Sequence, residues 1–214
     1  LPLYILLYQL LNYFFGFYEF DQLSNFGFWT PYFQLNSVLS AFLASGFVLF
    51  NAFGLNSLVN KNNFHERNTY LVALVYIVFM SLFQSSYMLS GVLICQSAII
   101  LLTHQLFELL KNEDGRKNIF NAFFFLGIGV TLSPVLLLAV PILLISVMLV
   151  RPFLLKELFS ALIGLTIPFI YLFSLGYLMN QQLNFDFASQ QLKFENKDFL
   201  FVSITLVLFL ILAS

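Results

Sequence analysis

Glu19 and Asp21 are the residues whose type and spacing first suggest chemistry. They stand two apart in Phe17-Tyr18-Glu19-Phe20-Asp21, directly after an uncharged run. Two carboxylates at a membrane face can hold a divalent cation or serve as a general base. The plainer role, which we favour, is a water interface flanked by Tyr18, Phe20 and Trp29 as an aromatic belt. His104 and Glu108 form a second pair, one helical turn apart. Such a pair can relay a proton, or the imidazole can simply rest near a helix C-terminus, where positive charge is favourable. The second role is expected, and His65, beside Glu66 and Arg67, is expected to be solvated. Two distant histidines and the single cysteine, Cys95, make neither a metal motif nor an intramolecular disulfide. Gln84, Ser85, Ser86 and Gln96 place polarity in apolar surroundings, where bonding between helices is expected ahead of a ligand cavity. Phosphate-binding loops, zinc-protease helices and nucleophile elbows have no counterpart in the chain. No cofactor and no metal site is therefore expected.

The elements that position these residues follow from composition. The chain has 214 residues, of which 60% are hydrophobic and 9% charged, with 29 Phe and 10 Tyr. A soluble domain carries about 25% charged residues, and this much apolar surface has nowhere to hide in a water-soluble globule. An ordinary soluble enzyme and a disordered protein are excluded. The net charge of −1 leaves no basic footprint for nucleic acid. The partner these numbers imply is a lipid bilayer.

Uncharged stretches run over 1–18, 22–60, 68–107, 118–150, 158–185 and 199–214. A bilayer core of about 30 Å needs about 20 helical residues. Continuous apolar runs of this length suit helices, whose backbone groups are bonded internally, and not barrel strands. Two stretches are too long for one helix. The first is broken at Gln84-Ser85-Ser86 and the second between Gly127 and Pro134. Eight helices result, at about 1–18, 37–59, 69–83, 87–109, 118–131, 135–150, 154–179 and 199–214. The expected fold is all-α: one polytopic transmembrane bundle over 1–214, with short hairpin helices in its middle. Leu1 and Ser214 both lie within apolar runs, and both ends read as truncations of a longer protein.

If the helices alternate, Lys61, Arg67, Lys111, Arg116, Lys117, Arg151 and Lys156 share one side, and only Lys193 and Lys197 fall opposite. The positive-inside rule then makes loops 60–68, 108–118 and 151–157 cytoplasmic in a bacterial inner membrane. No formal charge falls deep within an expected span, which disfavours pumps and ion-coupled transport. Gly91, Gly127, Gly129 and Gly164 are packing signals. Pro168 and the 127–134 break keep a transporter as a third option.

Three segments together carry a resemblance. They are Asn60-Lys-Asn-Asn-Phe-His-Glu-Arg-Asn-Thr-Tyr70, Ile119-Phe-Asn-Ala-Phe-Phe-Phe-Leu-Gly127 before the Ser133-Pro134 turn, and Val150-Arg-Pro-Phe153 followed by Ala161-Leu-Ile-Gly-Leu-Thr-Ile-Pro168. Across roughly 45–180 they resemble an uncharacterised integral-membrane family of Bacteroidota. Some members of that family carry a carotene-monooxygenase label. Soluble carotenoid oxygenases hold iron with four histidines, so two histidines do not support that mechanism. The helix layout is also similar to the first module of the C-type glycosyltransferase superfamily, which uses polyprenyl-phosphate sugars. That resemblance implies an acidic residue in the first external loop, and Asp21 or Glu19 matches it. It also implies a second acidic motif between helices three and four, where Gln84-Ser85-Ser86 stands instead. The leading expectation is a non-catalytic scaffold or lipid-handling component of cell-envelope assembly, with other membrane proteins as partners. The alternative is a glycosyltransferase-like enzyme acting on a lipid-linked sugar.

Overall fold

The computed structural model describes residues 26–32, 35–64, 69–80, 88–111, 115–150 and 155–179. All of them belong to one compact unit, Leu1–Asn184. Among the described residues there are six α-helices and no strands: α1 (Ser37–Lys61), α2 (Leu71–Met80), α3 (Gly91–Lys111), α4 (Arg116–Leu132), α5 (Ala139–Val150) and α6 (Leu155–Leu178). Short 3-10 turns cover Gly27–Tyr32 and Pro134–Leu138. The all-α expectation holds among the described residues, where six helices are seen and the count of eight is not reached. The helices expected at 1–18 and 199–214 lie outside the described residues. Among the described residues, three helices are long and apolar enough to cross a membrane: Val38–Lys61, Gly91–Lys111 and Leu155–Leu178.

Local chemistry sets the helix ends. α1 runs two residues past its expected stop and finishes where Asn63 takes a left-handed φ of 55°, a conformation asparagine tolerates at helix C-termini. α3 begins four residues later than expected, because Ser90 stands before it as a cap. Its Oγ accepts the Leu93 N–H at 3.4 Å. α4 continues through Gly127 and Gly129 to Leu132, so the expected break is confined to Ser133. Ser133 is extended, at φ −143° and ψ 100°, as a residue before proline prefers. Pro134 then opens the 3-10 turn.

Burial is inverted relative to a water-soluble bundle. In α1 the inward positions are Ser40, Ala44, Val48, Asn51, Ala52 and Asn56, whereas Val38, Phe42, Phe50 and Phe53 face outward. In α6 the inward stripe is Ala161, Gly164, Pro168, Leu172 and Gly176, and Phe159, Leu162, Ile163, Ile170 and Tyr177 face outward. Large apolar groups outside and small or polar groups inside suit a lipid solvent.

Side-chain contacts fix the helix directions. Ser40 meets Leu89, Asn51 meets Ser97, and Lys61 meets Glu108, so α1 and α3 run parallel. Gln105 meets Asn121 and Cys95 meets Gly129, so α3 and α4 are antiparallel. α4 and α6 run parallel, because Ser160 reaches Arg116 while Gly127 packs on Leu165 and Pro168. This pattern is the alternation expected from the loops. Every formally charged described residue (Lys61, Glu108, Lys111, Arg116, Lys117, Lys156 and Glu157) consequently falls at one end of the bundle, called the basic end below.

α4 is the most enclosed helix. Its Ile119, Ala122, Phe123, Leu126 and Val130 pack with Leu102, Leu109, Leu143, Val147 and Ala161 from α3, α5 and α6. A second apolar cluster joins Phe26 and Leu89 to α1, α2 and α3 through Ala44, Val48, Ala52, Ala73, Ile77 and Leu93.

Candidate functional site at the basic end

Polar side chains occupy three levels along the bundle. Farthest from the basic end, the Trp29 indole N–H donates to Thr131 Oγ1 at 3.1 Å. Gly27, at φ +61°, lies so close to the Leu132 carbonyl that a Cβ there would collide with it. The loop around Gly27 is thus seated on the end of α4, and Trp29 is bonded to that helix, while Tyr18 and Phe20 of the expected belt lie outside the described residues.

At mid-height, Ser97 Oγ donates to Asn51 Oδ1 at 2.6 Å, and Asn51 Nδ2 donates to the Leu93 carbonyl at 3.3 Å. Tyr76 Oη donates to Gln96 Oε1 at 2.6 Å, joining α2 to α3. Asn51 is fully buried, and both ends of its amide are satisfied. Gln96 fulfils the expectation of interhelical bonding. Gln84, Ser85 and Ser86 lie outside the described residues.

The third level differs, because three of its buried side-chain oxygens have no hydrogen-bond partner. A groove of about 590 Å³ opens at the basic end of α1, lined by Phe53, Asn56, Ser57, Asn60, Lys61, Thr69 and Tyr70. Asn56 and Asn60 share one face of α1 through their i, i+4 spacing. Thr69 and Tyr70 come from the segment leading into α2, held by Asn60 Nδ2 donating to the Thr69 carbonyl at 3.3 Å. Asn56 Oδ1, Asn60 Oδ1 and Thr69 Oγ1 are buried and have no hydrogen-bond partner. Asn56 itself is only 4% exposed. A buried polar atom left unsatisfied costs about 1–3 kcal/mol.

A charged cluster borders the groove. Lys61 Nζ pairs with Glu108 Oε1 at 2.9 Å and lies 3.4 Å from His104 Nε2. Lys111 Nζ donates to Asn62 Oδ1 at 3.1 Å, closing a second link between the ends of α1 and α3. His104 and Glu108 therefore meet through Lys61 of a neighbouring helix, an arrangement that ties two helix ends together. In the first turn of α6, Glu157 is buried, where the helix dipole favours a carboxylate.

The expected site residues Glu19 and Asp21, and also His65, lie outside the described residues. Among the described residues no group of three or more His, Cys, Asp and Glu is placed to hold a metal ion. Asn51, Asn56, Asn60 and Thr69 were not singled out by charge or by motif. The available signal was three asparagines spaced five and four residues apart inside an otherwise apolar run. No protein-family model matches the chain, and no curated protein or solved structure does either.

Proposed function

We propose that this chain is a non-catalytic polytopic membrane protein that handles lipid, acting as a component of cell-envelope assembly in a bacterial inner membrane. The observation that carries this reading is the groove at the basic end. It brings the polar residues Asn56, Ser57, Asn60 and Thr69 together with Lys61 at the level where a helix leaves the apolar core. A headgroup-sized polar ligand fits a space of about 590 Å³, within the usual range for small-ligand pockets. Phe53 and Tyr70, exposed at the groove, offer apolar surface to acyl chains. The remaining polar contacts described above serve to hold helices together.

Photo-crosslinking tests the reading. The purified chain is placed in lipid nanodiscs containing a phospholipid with a photoreactive group near its headgroup, and adducts are mapped by peptide mass spectrometry. Adducts concentrated on 53–61 and 69–70 are expected. A uniform spread over all lipid-facing helices overturns the proposal. The glycosyltransferase-like alternative is checked by changing Asp21 and Glu19 together to Ala. The proposal expects no change in lipid-linked sugar turnover, and lost turnover in a folded double variant favours the enzyme. The orientation, with loops 60–68, 108–118 and 151–157 cytoplasmic, is checked by a reporter fused at Asp114. A signal from outside the cytoplasm reverses it.

A further inference from the structure

We infer that the groove at the basic end takes the phosphate of an anionic phospholipid, one whose headgroup carries no ammonium. This rests on the lipid-handling reading and adds the charge class of the headgroup to it.

The groups that a ligand can reach set the chemistry. Asn56 Oδ1, Asn60 Oδ1 and Thr69 Oγ1 are buried, so these acceptors are withheld from the groove. The exposed end of the Asn56 amide is Nδ2, which only donates. Lys61, with its side chain 49% exposed, carries a positive charge and no acceptor. Ser57 and Tyr70 are exposed, and the hydroxyl of each can donate. Two of these four groups only donate, and the other two can. Their counterpart is a group that only accepts, and a phosphodiester is such a group at neutral pH. Hydrogen bonds between a charged donor and a phosphate are also stronger than neutral ones.

Charge points the same way. An ammonium has three N–H donors; Lys61 directs one to Glu108 at 2.9 Å and stands 3.4 Å from His104 Nε2. A third is left for an anion at the groove that Lys61 lines. Lys111 joins the same cluster through neutral Asn62, at 3.1 Å. Among the described residues, two lysines thus meet one carboxylate where α1 and α3 end, and an anion balances the charge that remains. The ammonium of a choline or ethanolamine headgroup would instead be placed beside Lys61, with the Asn56, Asn60 and Thr69 oxygens out of its reach. The apolar part of the wall selects the source of the phosphate. Phe53 and Tyr70 are exposed there, and acyl chains can cover them as a soluble phosphate cannot.

The test uses the full chain in nanodiscs of phosphatidylcholine, with retained lipid read by native mass spectrometry. Phosphatidylglycerol and phosphatidylethanolamine are each added in turn. Retention of phosphatidylglycerol is expected to exceed that of either zwitterionic lipid by about tenfold, the effect of one charged hydrogen bond. Lys61→Met is expected to abolish the preference, and Lys61→Arg to keep it. Lys156, in the first turn of α6, lines no part of the groove, and Lys156→Met is expected to leave the preference unchanged. An equal loss in Lys156→Met and Lys61→Met assigns the preference to the basic end at large and overturns the groove as its seat. If Lys61→Met does not fold, Lys61→Arg, Lys156→Met and the headgroup series on the unaltered chain decide. Equal retention of all three lipids, or preference for phosphatidylethanolamine, overturns the inference while leaving the lipid-handling reading intact. Retention of no lipid at all overturns both. Inorganic phosphate separates the two sources of the anion. Phosphate binding that depends on Lys61, without retained lipid, overturns the lipid as the source.

Discussion

The α1–α3 region and the α4–α6 region solve the same problem by different means. Between α1, α2 and α3 the helices are joined by directional bonds from buried polar groups: Ser97 to Asn51, Asn51 to the Leu93 carbonyl, Tyr76 to Gln96, and the Leu89 N–H to Ser40. Between α4 and α6 the joint is close approach. A Cβ on Gly164 would lie 2.5 Å from the Phe120 carbonyl oxygen, and one on Gly127 would lie 2.7 Å from that of Leu165. Lipid provides no hydrophobic drive between helices, so tight van der Waals packing and interhelical hydrogen bonds must supply the cohesion. The glycine joint leaves no space, whereas the polar joint leaves a groove where its bonding stops short. The two regions therefore differ in kind: α4 and α6 are joined by close approach at glycines, and the groove to which we assign lipid binding lies along α1 and the start of α2.

Substitutions separate the two joints, and the largest effect is expected in the glycine joint. Gly164→Val pushes a branched side chain into the Phe120 backbone, which cannot yield as a side-chain tip can. Overpacking of this kind costs about 1–3 kcal/mol or more, and thermal unfolding in detergent should show a large drop or no folded protein. A Gly164→Val chain as stable as the original contradicts the close-packed joint. Next comes Asn51→Leu, which removes two interhelical bonds and strips Ser97 of its acceptor. Polar contacts inside membranes average about 0.6 kcal/mol and reach about 1.7, so a measurable destabilisation at the upper part of that range is expected. An unchanged unfolding midpoint would show that the polar network does not hold α1 to α3. The smallest effect on stability belongs to Lys61→Met. The Lys61 side chain is 49% exposed and that of Glu108 27%, and exposed ion pairs contribute less than about 1 kcal/mol. Its loss should barely alter unfolding yet weaken lipid retention, and the opposite outcome would make Lys61 a structural tie alone.

The contrast also explains what was legible in the amino-acid sequence. Charge-free stretches located all six described helices, and Ser133-Pro134 located the turn after α4, because burial length and proline geometry are local properties. The gathering of the described basic residues, Lys61, Lys111, Arg116, Lys117 and Lys156, at one end followed from counting spans. Gly127 and Gly164 read correctly as packing residues, although their actual neighbours, Leu165, Pro168 and Phe120, depend on α4 and α6 running parallel. The groove was not legible. Asn56 and Asn60 carry no charge and match no ligand motif, and the contact of Asn60 with Thr69 depends on how the start of α2 is placed against α1. A search for formal charges inside the spans passes over neutral acceptors, yet in lipid an unpaired carbonyl oxygen is conspicuous once its surroundings are known. His104 and Glu108 were a recognisable pair by spacing, but Lys61, which joins them, is more than forty residues away.

The central claim is that the groove between α1 and the start of α2 holds a lipid headgroup. Ser57 is exposed, lines the groove and lies outside the buried polar networks, so Ser57→Trp fills the space while sparing the helix joints. The decisive measurement compares lipid retained by the original chain and by Ser57→Trp, purified identically from mixed-lipid membranes and weighed intact. One tightly held phospholipid on the original chain and none on a Ser57→Trp chain of equal thermal stability is the result predicted. The same lipid retained equally by both would contradict the account.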